Sequence, residues 1–217
     1  MLAFNMGPNQ PNKALKDARV RQAISLAVDR AGIMRTAFAN LGKPNCGMQF
    51  NYNNDYVVCS LPKSGKRDTA AARKLLQEAG YPNGFNLTLH APNNRYVNDD
   101  QIAQTVAQML TRAGITTKIS TMPMGVYLGH ASKLEYSMTM LGWGASTGES
   151  SSALRPLLAT FAPEKGLGTF NWGRYSNPTM DGVLGKAMTT IDDKQREALL
   201  QEAAVLSMKD IGLVPIH

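Results

Sequence analysis

No stretch of the sequence holds the run of ~18 apolar residues that a transmembrane helix needs. The opening MLAFNMGPNQ has neither a charged n-region nor an apolar h-region, so it does not read as a secretion signal. The chain is then either cytosolic or a piece that begins inside a longer precursor. Cysteine is scarce: only Cys46 and Cys59, in GKPNCGMQFNYNNDYVVCSLP. Two thiols are too few for a structural zinc site, and no other metal ligands lie near them. A small-loop disulfide between them would suit an oxidising compartment and contribute ~3 kcal/mol. The alternative is two unrelated thiols. Also absent are a GxSxG elbow, HExxH, a Walker A loop and a GxGxxG following a strand. His90, His130 and His217 show no ligand spacing and read as structural. Ser146, Ser150, Ser151 and Ser152 have no neighbouring base to activate them. Asp99-Asp100 and Asp192-Asp193 stand at predicted helix starts, where they complement the macrodipole rather than form a catalytic pair. There is no internal repeat, low-complexity tract or clear linker. Neither enzyme chemistry nor a cofactor is indicated, and binding is what remains.

What is present is an ordinary soluble composition over 217 residues, enough to bury a sizeable core in one α/β domain. Net charge is +7, but the basic residues are scattered. Their densest cluster, Lys63, Lys66 and Arg67, has no interleaved aromatics, so nucleic acid is not expected as a partner. Val20, Ala23, Ile24, Ala27 and Val28 repeat at helical spacing, with Lys16, Arg19 and Arg21 off that face. Asp29 reads as the N-cap of a second helix ending at Gly42 and Pro44. Residues 43–67 read as a long loop, pinned by the candidate disulfide. Asp68 or Thr69 caps a helix through Ala79. Phe85, Leu87 and Leu89 then alternate with polar residues, as in a half-buried strand. A helix over Ile102–Ala113 and a strand with Ile115, Thr117 and Ile119 follow, so a parallel βαβ crossover is the default. A short helix covers Met124 to Leu134. Helices are also expected over Thr179–Met188 and Asp193–Met208, before a closing strand at 211–216.

The stretch YSMTMLGWGASTGESSSALRPLL reads as a buried strand, a loop and a helix. In open α/β sheets, ligands bind beyond the carboxyl ends of strands. Trp143 stands at that point between Gly142 and Gly144, which allow close backbone approach. It is either a binding aromatic or a core residue at a strand end.

Seven segments in order resemble family 5 of the extracellular solute-binding proteins of ABC importers: an early FN, DARVRQAISLAVDRAGIM, AARKLLQEAGYPNGFNLTL, QMLTRAGI, YSMTMLGWGAS, RYSNP with MDGVL, and DIGLVPIH. The group includes dipeptide-, oligopeptide-, nickel- and glutathione-binding proteins. The resemblance implies an α/β fold with a mixed sheet flanked by helices, residues 1–217 forming one carboxyl-side lobe of a longer, two-lobed periplasmic-binding-protein-like fold. It implies a monomer, periplasmic or else extracellular and membrane-associated, that closes on a peptide or peptide-like solute and docks on membrane permease subunits. In peptide binders of this family the Trp of the GW loop lies near the ligand, and an Asp three residues on commonly meets the ligand's amino group. Here that position is Ser146, which cannot supply the charge. Glu149 is the nearest substitute, or a cap of the following helix. The run Ser146-Thr147-Gly148-Glu149 is similar to glutathione-binding members. Arg95 could meet a carboxylate, or be a solvated surface residue. Tyr96, Arg174 and Tyr175 are further ligand-face candidates. Asn171 and Trp172 lie in the loop before RYSNP, and Asn5 could bond backbone beside a hinge. The competing expectation is a cytosolic α/β enzyme with an unrecognised cofactor, which would need a phosphate loop or a coherent polar cluster.

Overall fold

The computed structural model describes residues 1–8, 10, 12–41, 44–45, 66–144 and 148–217. Cys46 and Cys59, with their candidate disulfide, and Ser146 and Thr147 lie outside the described residues.

Alternation places Leu87, Leu89 and Ala91 of β2 (Phe85–Pro92) on one buried face. β2 continues through helix α4 (Asp99–Arg112) into β3 (Ile115–Met122), which pairs parallel to it from Phe85↔Ile115 to Pro92↔Met122. This is the βαβ unit that the spacing predicts. Its entry depends on glycine: a Cβ on Gly84 would sit 1.7 Å from the Gly114 carbonyl oxygen, and Gly84 has φ +71°. β4 (Met138–Met140) adds parallel to the other edge of β2, through Leu89↔Met138 and His90↔Thr139. β1 (Leu2–Phe4) runs antiparallel to both β4 and β5 (Leu213–Val214). The result is a mixed five-stranded sheet in the order β3-β2-β4-β1-β5.

Helices cover both faces. On one side pack α1 (Ala18–Ala27), α2 (Arg30–Ala37), α3 (Thr69–Glu78) and α4. Val20, Ala23, Ile24, Ile33, Leu76, Ile102, Val106 and Leu110 meet Leu2, Phe4, Leu89, Met138 and Val214 in that layer. The caps are those expected: Asp29 accepts from Gly32 N at 2.8 Å and Asp68 from Ala71 N at 2.9 Å. α2 stops earlier than the sequence suggests, at Ala37, because Ala39 and Asn40 take positive φ. On the other face, α5 (Met124–Ser132) packs against β2 and reaches β4 through the Tyr127 hydroxyl, which donates to Met140 O at 2.9 Å. Beside it a second core joins α6 (Ser151–Leu157), α7 (Pro178–Thr189) and α8 (Asp193–Lys209) to Leu141 and Leu213.

Two arginines join the chain's end to this frame. Arg21, off the apolar stripe of α1, is buried rather than solvated. It donates to Ile211 O at 3.0 Å and Asp210 O at 2.8 Å. Arg30, only 2% exposed, donates to Pro215 O at 2.7 Å, Ser25 O at 3.1 Å and Ser25 Oγ at 3.1 Å. Burial pushes its guanidinium down to about 10, so it stays charged at neutral pH.

Candidate functional site

β2, β4 and β5 end on the same edge of the sheet, and β1 begins there. A cavity of about 410 Å³ opens at that edge. The segment after β4 forms one wall, with Leu141, Gly142, Trp143 and Gly144. Arg95 and Tyr96 from the loop after β2, and Asp99 and Ile102 from α4, form a second. Pro215, Ile216 and His217, with Met1 and Asn45, complete it. This is the crevice beyond the carboxyl ends of strands where α/β sheets bind ligands.

The walls are tied together by specific contacts. Asp99, buried at the first position of α4, accepts from Arg95 N at 2.9 Å and Tyr96 N at 3.0 Å, and its other oxygen accepts from Asp100 N at 2.9 Å. A carboxylate meeting backbone N–H groups at a helix start is well placed electrostatically. The loop is further anchored by Asn94, whose Oδ1 accepts from Met124 N at 2.8 Å. Tyr96 then crosses to the opposite wall and donates from its hydroxyl to Gly142 O at 3.2 Å. Arg95 lies 5.3 Å from the centroid of the Tyr96 ring, exposed, and makes no ion pair among the described residues. Met1 and Leu141 exchange hydrogen bonds of 2.9 and 3.1 Å across β1 and β4. His217 packs on Phe38 at 4.3 Å between centroids, and burial lowers its imidazole below the usual range.

Trp143 is half-buried and has two surroundings. One side packs on the second core, in an edge contact with Phe170 at 5.0 Å, and its indole N–H donates to Ser152 O at 2.9 Å. The other lines the cavity. Trp143 thus packs on the second core and also lines the cavity, which leaves it available to a solute without making it one of the fully buried core residues.

The structure brings Gly142, Trp143, Gly144, Arg95 and Tyr96 into one cavity. Glu149 is engaged elsewhere. Arg196 of α8 donates to both of its oxygens, one of the contacts being 2.8 Å, and Ser151 Oγ donates to it as well. The Arg196 guanidinium, then Ser151, hold its carboxyl below the usual carboxylate range. Ser150, at the N-cap position of α6, makes no side-chain cap bond.

Arg174 and Tyr175 sit at the opposite end of the sheet. Met6 N, just past the carboxyl end of β1, donates to Gly173 O at 2.6 Å. Arg174 has φ +52° and stacks its guanidinium 3.7 Å from the Phe161 centroid. Tyr175 is buried, and its hydroxyl donates to Asp210 Oδ2 at 2.8 Å. Asn171 supports it, accepting from Tyr175 N at 3.1 Å and donating to Ala159 O at 2.9 Å. Asn177 donates to Asp210 at 2.6 Å and caps α7 by accepting from Met180 N at 3.0 Å. RYSNP is thus a polar staple between α7 and the end of α8. Asn5 bonds backbone, its Nδ2 donating to Leu134 O at 3.0 Å.

Sequence reasoning passed over Asp99, Met140 and the segment 215–217 as cavity residues. Asp99 carries only the signal of an acid at a helix start. The other two become neighbours of Trp143 only once the strand order is known.

Residues 1–164 match the family described as bacterial extracellular solute-binding proteins, family 5 Middle. The glutathione-binding protein GsiB of Pectobacterium atrosepticum is 33% identical over 202 residues, covering 90% of this chain and 38% of that protein. Among solved structures, the ABC transporter-associated periplasmic binding protein DppA of Helicobacter pylori, in complex with peptide STSA, superposes with a TM-score of 0.86 at 26% identity. That match covers 99% of this chain and 40% of DppA. A peptide-binding protein of a peptide ABC transporter shares the fold at 20% identity and a TM-score of 0.81, with 96% of its chain covered. This chain thus spans about two-fifths of the length of GsiB and DppA.

Proposed function

We propose a function from one premise: the chain belongs to family 5 of the bacterial extracellular solute-binding proteins. That family is one of solute-binding proteins and not of enzymes, so no catalytic role is assigned. In our reading residues 1–217 are one lobe of a longer two-lobed protein of an ABC importer. The lobe forms one wall of a cleft that closes by a hinge on a peptide or peptide-like solute. The closed, monomeric protein then delivers the solute to a membrane permease from the periplasm. Among the described residues no helix is long and apolar enough to cross a membrane.

The observation that carries this reading is the cavity at the strand ends, with Trp143 and Tyr96 as aromatic surfaces and Arg95 as an exposed cation. Arg95 takes a carboxylate of the solute as a charge-assisted, forked pair. Gly144 lets the solute's backbone approach the loop, Gly142 makes room for the Tyr96 ring that the solute meets, and Ser146 and Thr147 are further polar contacts. The carboxylate lining the cavity, Asp99, is occupied by backbone N–H groups. This lobe therefore favours the acidic end of a solute, which suits a peptide carboxyl terminus or a molecule such as glutathione. Arg174 and Tyr175 act on folding rather than on the solute.

The test is mass spectrometry of the ligand that co-purifies when the complete reading frame is expressed. A peptide or glutathione supports the proposal. A sugar or a metal chelate contradicts it.

A further inference from the structure

Trp143 is held by a chain of contacts that begins outside the cavity. Its indole N–H donates to Ser152 O at 2.9 Å. Ser152 is itself fixed by Glu149, whose carbonyl oxygen accepts from Ser152 N at 3.1 Å and Ser152 Oγ at 2.6 Å. The Glu149 carboxylate receives Arg196 through two guanidinium nitrogens, Nε and NH2, the latter at 2.8 Å. The third nitrogen of Arg196 donates to Ala187 O at 2.9 Å, near the end of α7. The guanidinium is therefore oriented at every nitrogen, and α7 and α8 together fix it. A forked Arg–carboxylate contact constrains orientation as well as distance, which a point charge does not. Ser151 Oγ adds a further bond to the same carboxylate.

We propose that Arg196, on a helix that contributes nothing to the cavity lining, is a positioning residue for Trp143, acting through Glu149 and Ser152. The proposal rests on the reading that Trp143 meets the solute, but the relay exists without solute and is measured without it. Arg196 and Glu149 fix the first turn of α6, and Ser152 O in that turn sets the direction of the indole. With the relay cut, the ring keeps its packing on Phe170 but loses its fixed tilt toward the cavity.

The experiment uses the intrinsic fluorescence of the 217-residue chain. The sequence has two tryptophans, so a Trp172→Phe background leaves Trp143 as the sole indole. In that background, Glu149→Gln and Arg196→Gln each move the emission to longer wavelength and increase acrylamide quenching. The double variant moves them no further than the larger single change, because both substitutions cut one path. Arg196→Lys, with charge but no fork, falls between wild type and Arg196→Gln. Far-UV circular dichroism confirms folding of each variant. If Arg196→Gln does not fold, Glu149→Gln decides alone, since it keeps the side-chain shape and the backbone bonds to Ser152. Unchanged emission and quenching in folded variants overturns the proposal, as does a double variant equal to the sum of the singles. Solute titration of the complete protein separates the two readings. If Trp143→Ala leaves solute affinity intact, the solute reading fails while the emission result on the relay stands.

Discussion

Gly142 has no space for a side chain: an added Cβ would lie 2.6 Å from the Tyr96 ring. Gly142→Ala must displace Tyr96 from the opposite wall, and overpacking of this kind costs about 1–3 kcal/mol. Urea denaturation is expected to show that loss, and Tyr96→Ala in the same chain should remove most of the further cost of Gly142→Ala. Glu149 gives a pH signature. Arg196 lowers its folded carboxyl relative to the unfolded chain. Its contribution is complete above the ordinary value of about 4.3 and is lost as pH falls through the lower, folded value. Stability measured against pH should therefore decline more steeply in wild type than in Glu149→Gln below about pH 4. A parallel decline would show that other carboxylates account for the acid limb. His90 has the opposite chemistry. It stacks on Tyr136 at 4.0 Å, and burial lowers its imidazole. The unfolded chain takes up this proton first, so stability falls as pH drops below about 6.5. His90→Gln should remove that step from a denaturation series between neutral and mildly acid pH.

At the scale of elements, Arg30 ties the turn between α1 and α2 to the segment after β5. Arg30→Met leaves Pro215 O and Ser25 O without this donor. Unsatisfied buried carbonyls of this kind cost about 1–3 kcal/mol each. A loss of about 3 kcal/mol is expected in chemical denaturation, with amide exchange at Ile216 accelerated over wild type by more than in α7. Neither Arg21 nor Arg30 could be recognised as buried from spacing, because each joins nearby acceptors to carbonyls nearly the whole chain away. The helices themselves were legible because their apolar stripes and caps are local: Asp29, Asp68 and the face of α1 fell where the period put them. The βαβ unit was legible for the same reason. The end of α2 was not, since Ala39 and Asn40 adopt a backbone usually left to glycine. RYSNP was legible as a motif and not as a role. A polar network that staples α7 to α8 has the same composition as a polar binding loop, and only topology separates the ends of the sheet.

At the scale of the whole molecule, the proposed function makes this cavity one side of a cleft between two lobes. The chain covers about two-fifths of GsiB and DppA, and a two-lobed trap obtains its affinity by desolvating the solute on both sides. The GW loop marked one wall of the cavity from sequence, whereas Asp99 and 215–217 waited on strand order. As the single lobe of that proposal, residues 1–217 supply few of the contacts and none of the closure, so solute should bind them weakly and at one place. The most direct measurement is a titration of the 217-residue chain with glutathione or a dipeptide, followed by the chemical shifts of its backbone amides. Shifts are expected only in 93–99, 141–144 and 216–217, saturating at about millimolar solute. Shifts centred on Arg174 and Tyr175, or sub-micromolar affinity for the lobe alone, would contradict this expectation.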